Sequence, residues 1–167
     1  MNKIDQLKTK YPLLFSNDPL QPIVLFGVEC DSGSYKIIDI TCKLLYHKYN
    51  DAKRTEQYFE EVLENKKFNE TQTEEIVREN LITAREKLQK QFELLPTIEQ
   101  IKEKFGELRI YLSMHGQTDE YVWGVIDFAE EMSRVTCEVC GAPGETITKG
   151  WHKTLCEQHA KERYGNV

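Results

Sequence analysis

Four cysteine and histidine residues near the end of the chain limit its fold more than any other feature. They form two pairs, Cys137 with Cys140 and Cys156 with His159, with two residues between the members of each pair and fifteen between the pairs. Zinc prefers a tetrahedral set of thiolate and imidazole ligands, and this spacing lets one tight turn direct both side chains of a pair to a single point. The sequence therefore predicts a zinc site with these four ligands.

The predicted zinc site is structural rather than catalytic. Three thiolates and one imidazole complete a tetrahedral shell, so no position remains for a water molecule that the metal could activate. Two turn-forming segments, 142–144 and 149–151, predict a short hairpin that brings the second ligand pair back to the first, and a helix is predicted from Glu157 to Tyr164. His152 is an alternative imidazole ligand to His159, although its place in this hairpin favours the surface.

The 167 residues are enough for a principal domain, predicted over residues 1–134, and a small zinc-ribbon-like module over residues 135–167. A content of 40% hydrophobic and 30% charged residues is typical of a folded protein with a solvated surface. No apolar run approaches membrane-spanning length and the first eleven residues are too polar for a secretory signal, so a cytoplasmic protein without a membrane partner is expected. Cys30 and Cys42 are expected to be free thiols, as in a reducing compartment, with Cys42 on the buried face of a helix.

The net charge of −6 bears directly on the partners of the chain. Nucleic-acid binding usually depends on a basic surface that releases counterions from phosphate groups. The acidity of the whole chain therefore argues against a long nucleic acid as partner, while a local basic patch could still bind one.

Residues 1–94 show mainly helical periodicity, with one extended segment. Helices are predicted over residues 4–11, 35–49, 51–64 and 73–94, with Ser34 as the N-cap of the second and the last two joined as a helical pair. Pro22 to Phe26 is predicted as a short buried strand or extended segment, followed by a glycine-bounded polar loop to Ser34. The helical pair could form a partner-binding or dimerisation surface, but charged helical faces are usually only solvated.

Residues 98–134 predict a β-hairpin and a further helix. The segment Leu108 to Met114 alternates apolar and polar side chains, and with residues 98–105 it predicts an antiparallel pair around Gly106. Residues 98–105 also fit helical spacing, which is the alternative. A helix capped by Thr118 is predicted to run to about Arg134. The predicted fold class is α+β, mostly helical, with a small antiparallel β-hairpin and a C-terminal zinc ribbon.

The segments 101–111, 137–144 and 150–159 resemble a family of small uncharacterised bacterial and bacteriophage proteins. The matching residues read IKEKFGELRIY, CEVCGAPG and GWHKTLCEQH, and the resemblance covers Pro96 to Ala160. Residues 27–35 are also similar to a glycine- and aspartate-containing loop of that family, with Tyr35 where a tryptophan is usual. The resemblance implies a zinc-ribbon-like C-terminus and a phage or prophage setting, and no established activity.

A cluster of cationic and aromatic residues is the candidate ligand site. These residues offer the chemistry of phosphate and base recognition, and they are Lys102, Lys104, Arg109, Tyr111, Trp151 and Lys153. A local basic and aromatic pocket on an acidic protein suits a small nucleotide-like anion better than a polynucleotide. The alternative to ligand binding is that Arg109 forms an internal ion pair and that the lysines are simply solvated.

The sequence lacks a convincing nucleophile, acid–base pair or open metal site, so a non-enzymatic binding protein is predicted. Such a protein would sequester a small nucleotide-like signal or a host protein, in a way that counters host defence. A nucleic-acid-associated regulator is the alternative function. An enzyme using Glu29 and Asp31 of the glycine-bounded loop is a third hypothesis, and a homo-oligomer is compatible with the sequence.

Overall fold

The computed structural model describes residues 3–116 and 119–165, which form a mostly helical α+β fold. Its helices are α1 (Lys3–Lys10), α2 (Pro22–Leu25), α3 (Tyr35–Glu64), α4 (Glu74–Glu93), α5 (Glu120–Ser133) and α6 (Glu157–Tyr164). Its strands are β1 (Val28–Glu29), β2 (Thr97–Lys104), β3 (Glu107–Ser113), β4 (Glu145–Ile147) and β5 (Lys153–Leu155). None of the helices in these ranges is long and apolar enough to cross a membrane.

The main hydrophobic core lies between the first half of α3, the β2–β3 hairpin and α5. Its largest side chains that are almost completely buried include Leu14, Ile23, Ile38, Ile98 and Ile101. Helix α5 contributes Val122, Val125, Ile126 and Ala129 at helical spacing, and Cys42 lies on the buried face of α3, as predicted. The metal-ligand region has its own small core around Cys137, Leu155 and Ala160.

The β-hairpin is confirmed, and the alternative of a helix over residues 98–105 is wrong. Strands β2 and β3 pair antiparallel, and β1 pairs parallel to β2 at its other edge. Phe105 and Gly106 connect β2 and β3, and both have positive φ angles, 56° and 81°. A two-residue connection with these angles matches the right-handed twist of the paired strands, so the tight turn favours the hairpin over a helix.

Helix α3 is a single helix of 30 residues, whereas two helices over residues 35–49 and 51–64 were expected. The junction at Asn50 and Asp51 holds neither glycine nor proline, and the modest helix propensities of these residues do not end a long helix. Ser34 is at the N-cap position, but its side chain makes no capping hydrogen bond, because a 3₁₀ turn over Ser32–Ser34 leads directly into α3. Helix α4 returns antiparallel to α3 and confirms the helical pair.

The prediction of a strand or extended segment over Pro22 to Phe26 is wrong, since Pro22–Leu25 forms the helical turn α2. Pro22 occupies the first turn, where its missing N–H group would have no helical partner and its fixed φ angle suits a helix. Ile23 is buried, but Leu25 and Phe26 are 58% and 65% exposed. The segment therefore buries one apolar side chain instead of the row that a buried strand would place inside.

Helix α5 begins after Asp119, whose side chain accepts a 2.9 Å hydrogen bond from the backbone N–H of Tyr121. The predicted cap Thr118 lies outside the described residues. The carboxylate of Asp119 also pairs with the ammonium of Lys48 on α3, at 3.0 Å. The start of α5 is thus joined to the helix against which α5 packs.

Candidate metal centre

The first ligand pair, Cys137 and Cys140, lies in a tight turn that follows α5. The backbone N–H of Gly141 donates a 2.8 Å hydrogen bond to the carbonyl oxygen of Cys137, and Cys137 in turn donates a 2.7 Å bond to Ala142. Gly141 has a φ angle of 79°, a conformation that a residue without a Cβ adopts at little cost. This turn directs the two thiols to the same side.

The second pair, Cys156 and His159, lies at the start of α6. Strands β4 and β5 form the predicted antiparallel hairpin, and Cys156 follows β5 as the N-cap residue of α6. One helical turn then places the imidazole of His159 over the thiol of Cys156, with Sγ and Nδ1 3.1 Å apart. The predicted hairpin and the predicted helix over residues 157–164 are both confirmed.

The four predicted ligand atoms converge, with every pair within 4.8 Å. Nδ1 of His159 lies 3.4 Å from Sγ of Cys137, and Sγ of Cys140 lies 3.9 Å from Sγ of Cys156. A tetrahedral zinc ion with bonds of about 2.3 Å to sulfur requires about 3.8 Å between sulfurs. Small side-chain adjustments would bring these atoms to tetrahedral distances, so the three cysteines and one histidine are positioned to hold one metal ion.

The environment favours thiolates at Cys137 and Cys156. At Cys140 the backbone of Ala142 lowers the pKa, but desolvation and the thiols of Cys137 and Cys156 outweigh this effect and raise the pKa. Burial by itself raises the pKa of Cys137, but the backbone N–H groups of Cys156, Cys140 and Val139 outweigh burial and hold the pKa at about 6. The backbone of His159 and its imidazole lower the pKa of Cys156. Because a metal binds thiolate rather than thiol, a lowered pKa reduces the free energy needed to release the proton.

His152 does not belong to this group. Its ring lies beside the ring of Phe105, with the centroids 6.1 Å apart, while His159 takes the fourth position. The arrangement of three sulfurs and one nitrogen fills a tetrahedral shell and leaves no ligand position for substrate or water. The geometry thus suits a metal that holds backbone segments together.

The glycine-bounded loop is clamped onto the metal-binding turn. The N–H of Gly33 donates a 2.7 Å hydrogen bond to the carbonyl oxygen of Glu138, and the hydroxyl of Ser32 donates a 2.8 Å bond to the carbonyl of Val139. A Cβ atom on Gly33 would lie 2.5 Å from the backbone nitrogen of Gly141 and even closer to the carbonyl oxygen of Cys137. Only glycine therefore permits this approach.

A cluster of charged side chains fills the same junction, centred on Lys153 of β5. Its ammonium pairs with the buried carboxylate of Glu138, and lies 3.5 Å from Glu103 and 3.7 Å from Asp31. Burial raises the pKa of Glu138 more than Lys153 lowers it, whereas the three carboxylates raise the pKa of Lys153 against the effect of burial. Lys153 is the cation that compensates a carboxylate enclosed between the metal-binding region and the hairpin.

The hairpin turn also contacts the metal-binding region through its backbone. The hydroxyl of Thr154, which is completely buried, donates a 2.6 Å hydrogen bond to the carbonyl of Gly106. The N–H of Gly106 in turn donates a 2.7 Å bond to the carboxylate of Glu103. Strand β5 therefore rests directly on the turn between β2 and β3.

Arg109 is the predicted ligand residue with the most internal contacts. Its guanidinium pairs with Glu107 on the same strand and with Glu130 on α5. Burial lowers the pKa of Arg109, but the two carboxylates outweigh burial and raise it. The guanidinium thus connects β3 with α5. This is the internal ion pairing that the sequence indicated as the alternative to ligand binding.

The other predicted ligand residues lie on the β2–β3 hairpin, at the β4–β5 connection and on β5. Lys102 lies over the ring of Tyr111, 4.9 Å from the ring centroid, on the outward face of the hairpin near exposed Lys104. Trp151 is 62% exposed at the β4–β5 connection. Five surface cavities in the described ranges are lined by other residues, so these side chains do not share any of those cavities.

Glu29 and Asp31, the carboxylates of the third hypothesis, face different partners. Glu29 accepts a 2.8 Å hydrogen bond from the amide of Gln100, while Asp31 approaches Lys153. Sequence reasoning missed the clamp residues Gly33 and Glu138. For Gly33, the only indication in the sequence was the presence of a glycine within the polar loop. Nothing in the sequence indicated that Glu138 is buried, because glutamate is usually exposed.

A scan against family models, a search of curated proteins and a search of solved structures each find no match to this chain, so the bacteriophage resemblance stays a prediction.

Proposed function

We propose that the metal is zinc and that it is structural, holding a zinc-ribbon-like module against the hairpin and the glycine-bounded loop. The observation that carries this proposal is the convergence of three thiols and one imidazole within 4.8 Å. Zinc accepts this donor set in a closed tetrahedral shell. Such a metal would also stabilise the buried junction around Lys153. The module that the metal organises contacts the glycine-bounded loop and β2 at this junction.

The function we propose is non-enzymatic binding of a small nucleotide-like anion. Support comes from the closed metal shell, which offers no catalytic position, and from cationic and aromatic side chains on the hairpin surface. Among the six predicted ligand residues, Lys102, Lys104, Tyr111 and Trp151 are accessible, whereas Arg109 and Lys153 already pair with carboxylates. In the phage or prophage setting implied by the resemblance, sequestration of a host signal in the host cytoplasm would counter host defence.

Nucleic-acid binding is the second candidate, and one observation favours it. The outward face of the hairpin is open rather than enclosed, which suits a polymer better than a small molecule. Binding through several phosphates weakens steeply with added salt, while a small enclosed ligand is less sensitive. A gel-shift titration over a range of salt concentrations separates the two functions.

Mass spectrometry of small molecules released from the purified protein by denaturation tests the main proposal. A phosphate-bearing compound released in stoichiometric amount supports it. If no compound is released and the protein binds DNA or RNA tightly and with a steep salt dependence, the nucleotide-binding proposal is wrong and the nucleic-acid-associated regulator is favoured.

A further inference from the structure

The groove between α1 and the beginning of α3 is a concave site lined by several charged side chains. It has a volume of about 330 Å³, within the usual range of small-molecule sites. Its polar lining residues are Lys3, Gln6, Lys10, Tyr35, Lys36 and Asp39. Buried Leu7 closes the apolar side of the groove.

The charges in this groove oppose the net charge of the chain. Three ammonium groups face one carboxylate, and the ammonium of Lys10 is held by that carboxylate, Asp39, at 2.7 Å. Within residues 3–116 and 119–165, Lys3 and Lys36 form no ion pair with any carboxylate. Two cations are therefore available for an anionic group.

Tyr35 provides a planar wall beside these cations. Its half-buried ring has the ammonium of Lys3 above its face, 4.2 Å from the centroid. A cation–π contact at an exposed site is weak, so the flexible Lys3 side chain can turn to an anion and leave the ring face to a planar group. The Tyr35 ring therefore lies next to the lysine ammonium groups. A ligand with a planar ring joined to a phosphate requires this arrangement of an aromatic surface beside cations.

The N-terminus of α3 adds to the positive potential of the groove. Tyr35 and Lys36 are the first two residues of this 30-residue helix, and Ser34 makes no side-chain capping bond. The backbone N–H of Tyr35 donates to the carbonyl oxygen of Ser32, so the contribution of the helix comes from its aligned peptide dipoles, which place a partial positive charge at this end. Helix dipole and lysines therefore act in the same direction.

We propose that this groove binds a small molecule that carries both a phosphate group and a planar ring, of the mononucleotide class. Lys3 and Lys36 bind the phosphate, and the ring stacks on Tyr35. The inference rests on the proposed function for the class of ligand, and it assigns that ligand to α1 and α3 rather than to the hairpin.

The test is an NMR titration of the full-length, zinc-loaded protein with AMP, GMP, CMP and UMP, and separately with inorganic phosphate. At least one mononucleotide is expected to shift the Tyr35 ring signals and the Lys36 amide signal at concentrations up to about 5 mM, and to bind more tightly than phosphate. Lys36→Glu, an exposed position, is expected to weaken this binding at least about tenfold. The matched control is Lys53→Glu, an exposed residue on the same helix about 25 Å further along, which should leave affinity unchanged within about twofold.

The outcomes separate this inference from the proposed function. If no mononucleotide and no phosphate binds anywhere on the protein, both are overturned. If a mononucleotide binds, but Lys36→Glu leaves the affinity intact while Lys102→Glu on the hairpin abolishes it, the groove assignment alone is wrong. If phosphate alone binds as tightly as every mononucleotide, stacking on Tyr35 is wrong.

Discussion

The backbone N–H of Gly33 donates a 2.7 Å hydrogen bond to the carbonyl oxygen of Glu138, which lies between two of the metal ligands. A loop before α3 is thereby joined to a turn after α5, across more than half of the sequence. Because the contact is between backbones, its strength depends on how closely the two segments approach. This relationship links the metal centre to the stability of the whole fold.

Replacement of Gly33 by alanine is expected to destabilise the protein by about 3 kcal/mol, because the new Cβ would overlap the carbonyl of Cys137. Chemical denaturation of the zinc-loaded protein measures the change. Gly124→Ala is the matched control, since Gly124 is exposed in α5 and its Cβ would meet no atom. That control should raise stability by up to about 1 kcal/mol, and an equal effect of both substitutions would contradict the clamp.

Loss of one metal ligand is expected to remove the metal and lower the melting temperature. For His159→Ala we expect less than one zinc per chain by elemental analysis and a fall in Tm of roughly 10 °C or more, since metal binding contributes strongly to the folding of such sites. His152→Ala is the control because its ring lies outside the ligand group. Retention of one zinc per chain in His159→Ala would refute the assignment.

Lys153→Met is expected to cost about 3 kcal/mol, because Glu138 would remain buried without its cation. Apart from the Lys153 ammonium, neither carboxylate oxygen of Glu138 has a hydrogen-bond partner among the described residues, so this ion pair is its main compensation. The double variant Lys153→Met/Glu138→Gln should recover most of the loss. Urea unfolding of the single and double variants measures the coupling, and additive losses would show that the pair is not coupled.

Arg109→Lys is expected to lower stability by about 1 kcal/mol, because a single ammonium cannot reproduce the two-sided contact of a guanidinium with Glu107 and Glu130. Partial exposure of this site limits the loss. Thermal unfolding measures it. A fall in ligand affinity at unchanged stability would instead place Arg109 in a binding site.

Asp119 is expected to make stability depend on acid pH. Burial raises the pKa of this carboxyl, but Lys48 and the backbone N–H of Tyr121 outweigh burial and lower the pKa from its ordinary value. A lowered folded-state pKa means that the stabilisation is present above the unfolded-state pKa and is lost as pH falls through the folded-state value. Asp119→Ala should therefore cost about 1 kcal/mol at pH 7 and progressively less below about pH 4, as denaturation at several pH values would show.

Features encoded by short-range patterns could be predicted from the sequence. The spacing of the four ligands, the alternation in Leu108 to Met114 and the turn chemistry at Gly106 each depend on neighbours a few residues apart. The convergence of the four predicted ligand residues, the hairpin and the bounds of α6 are accordingly confirmed. These patterns depend only on residues that are close in the chain, so they can be recognised in a single sequence.

Features that depend on distant contacts could not be predicted. The burial of Glu138 against Lys153 and the approach of Gly33 to the metal-binding turn arise only when three separate segments meet. Pro22 suits either an extended segment or a first helical turn, and packing of Ile23 decides between them. The cationic side chains of Lys102 and Arg109 indicated an anion-binding site. The carboxylates that pair with Arg109 come from β3 and α5, and the sequence pattern does not specify how these two elements pack together.

The helical pair α3–α4 has one further consequence. Its buried residues do not belong to the main core, so among the residues that the structure describes the outer part of the pair packs on itself; these residues are Ala52, Val62, Val77, Leu81 and Ala84. At 1.5 Å per residue, residues 51–64 extend about 20 Å beyond the last core positions of α3. Whole helical turns could therefore be added to or removed from both helices together, which would change the reach of this arm while the core and the metal centre keep their geometry.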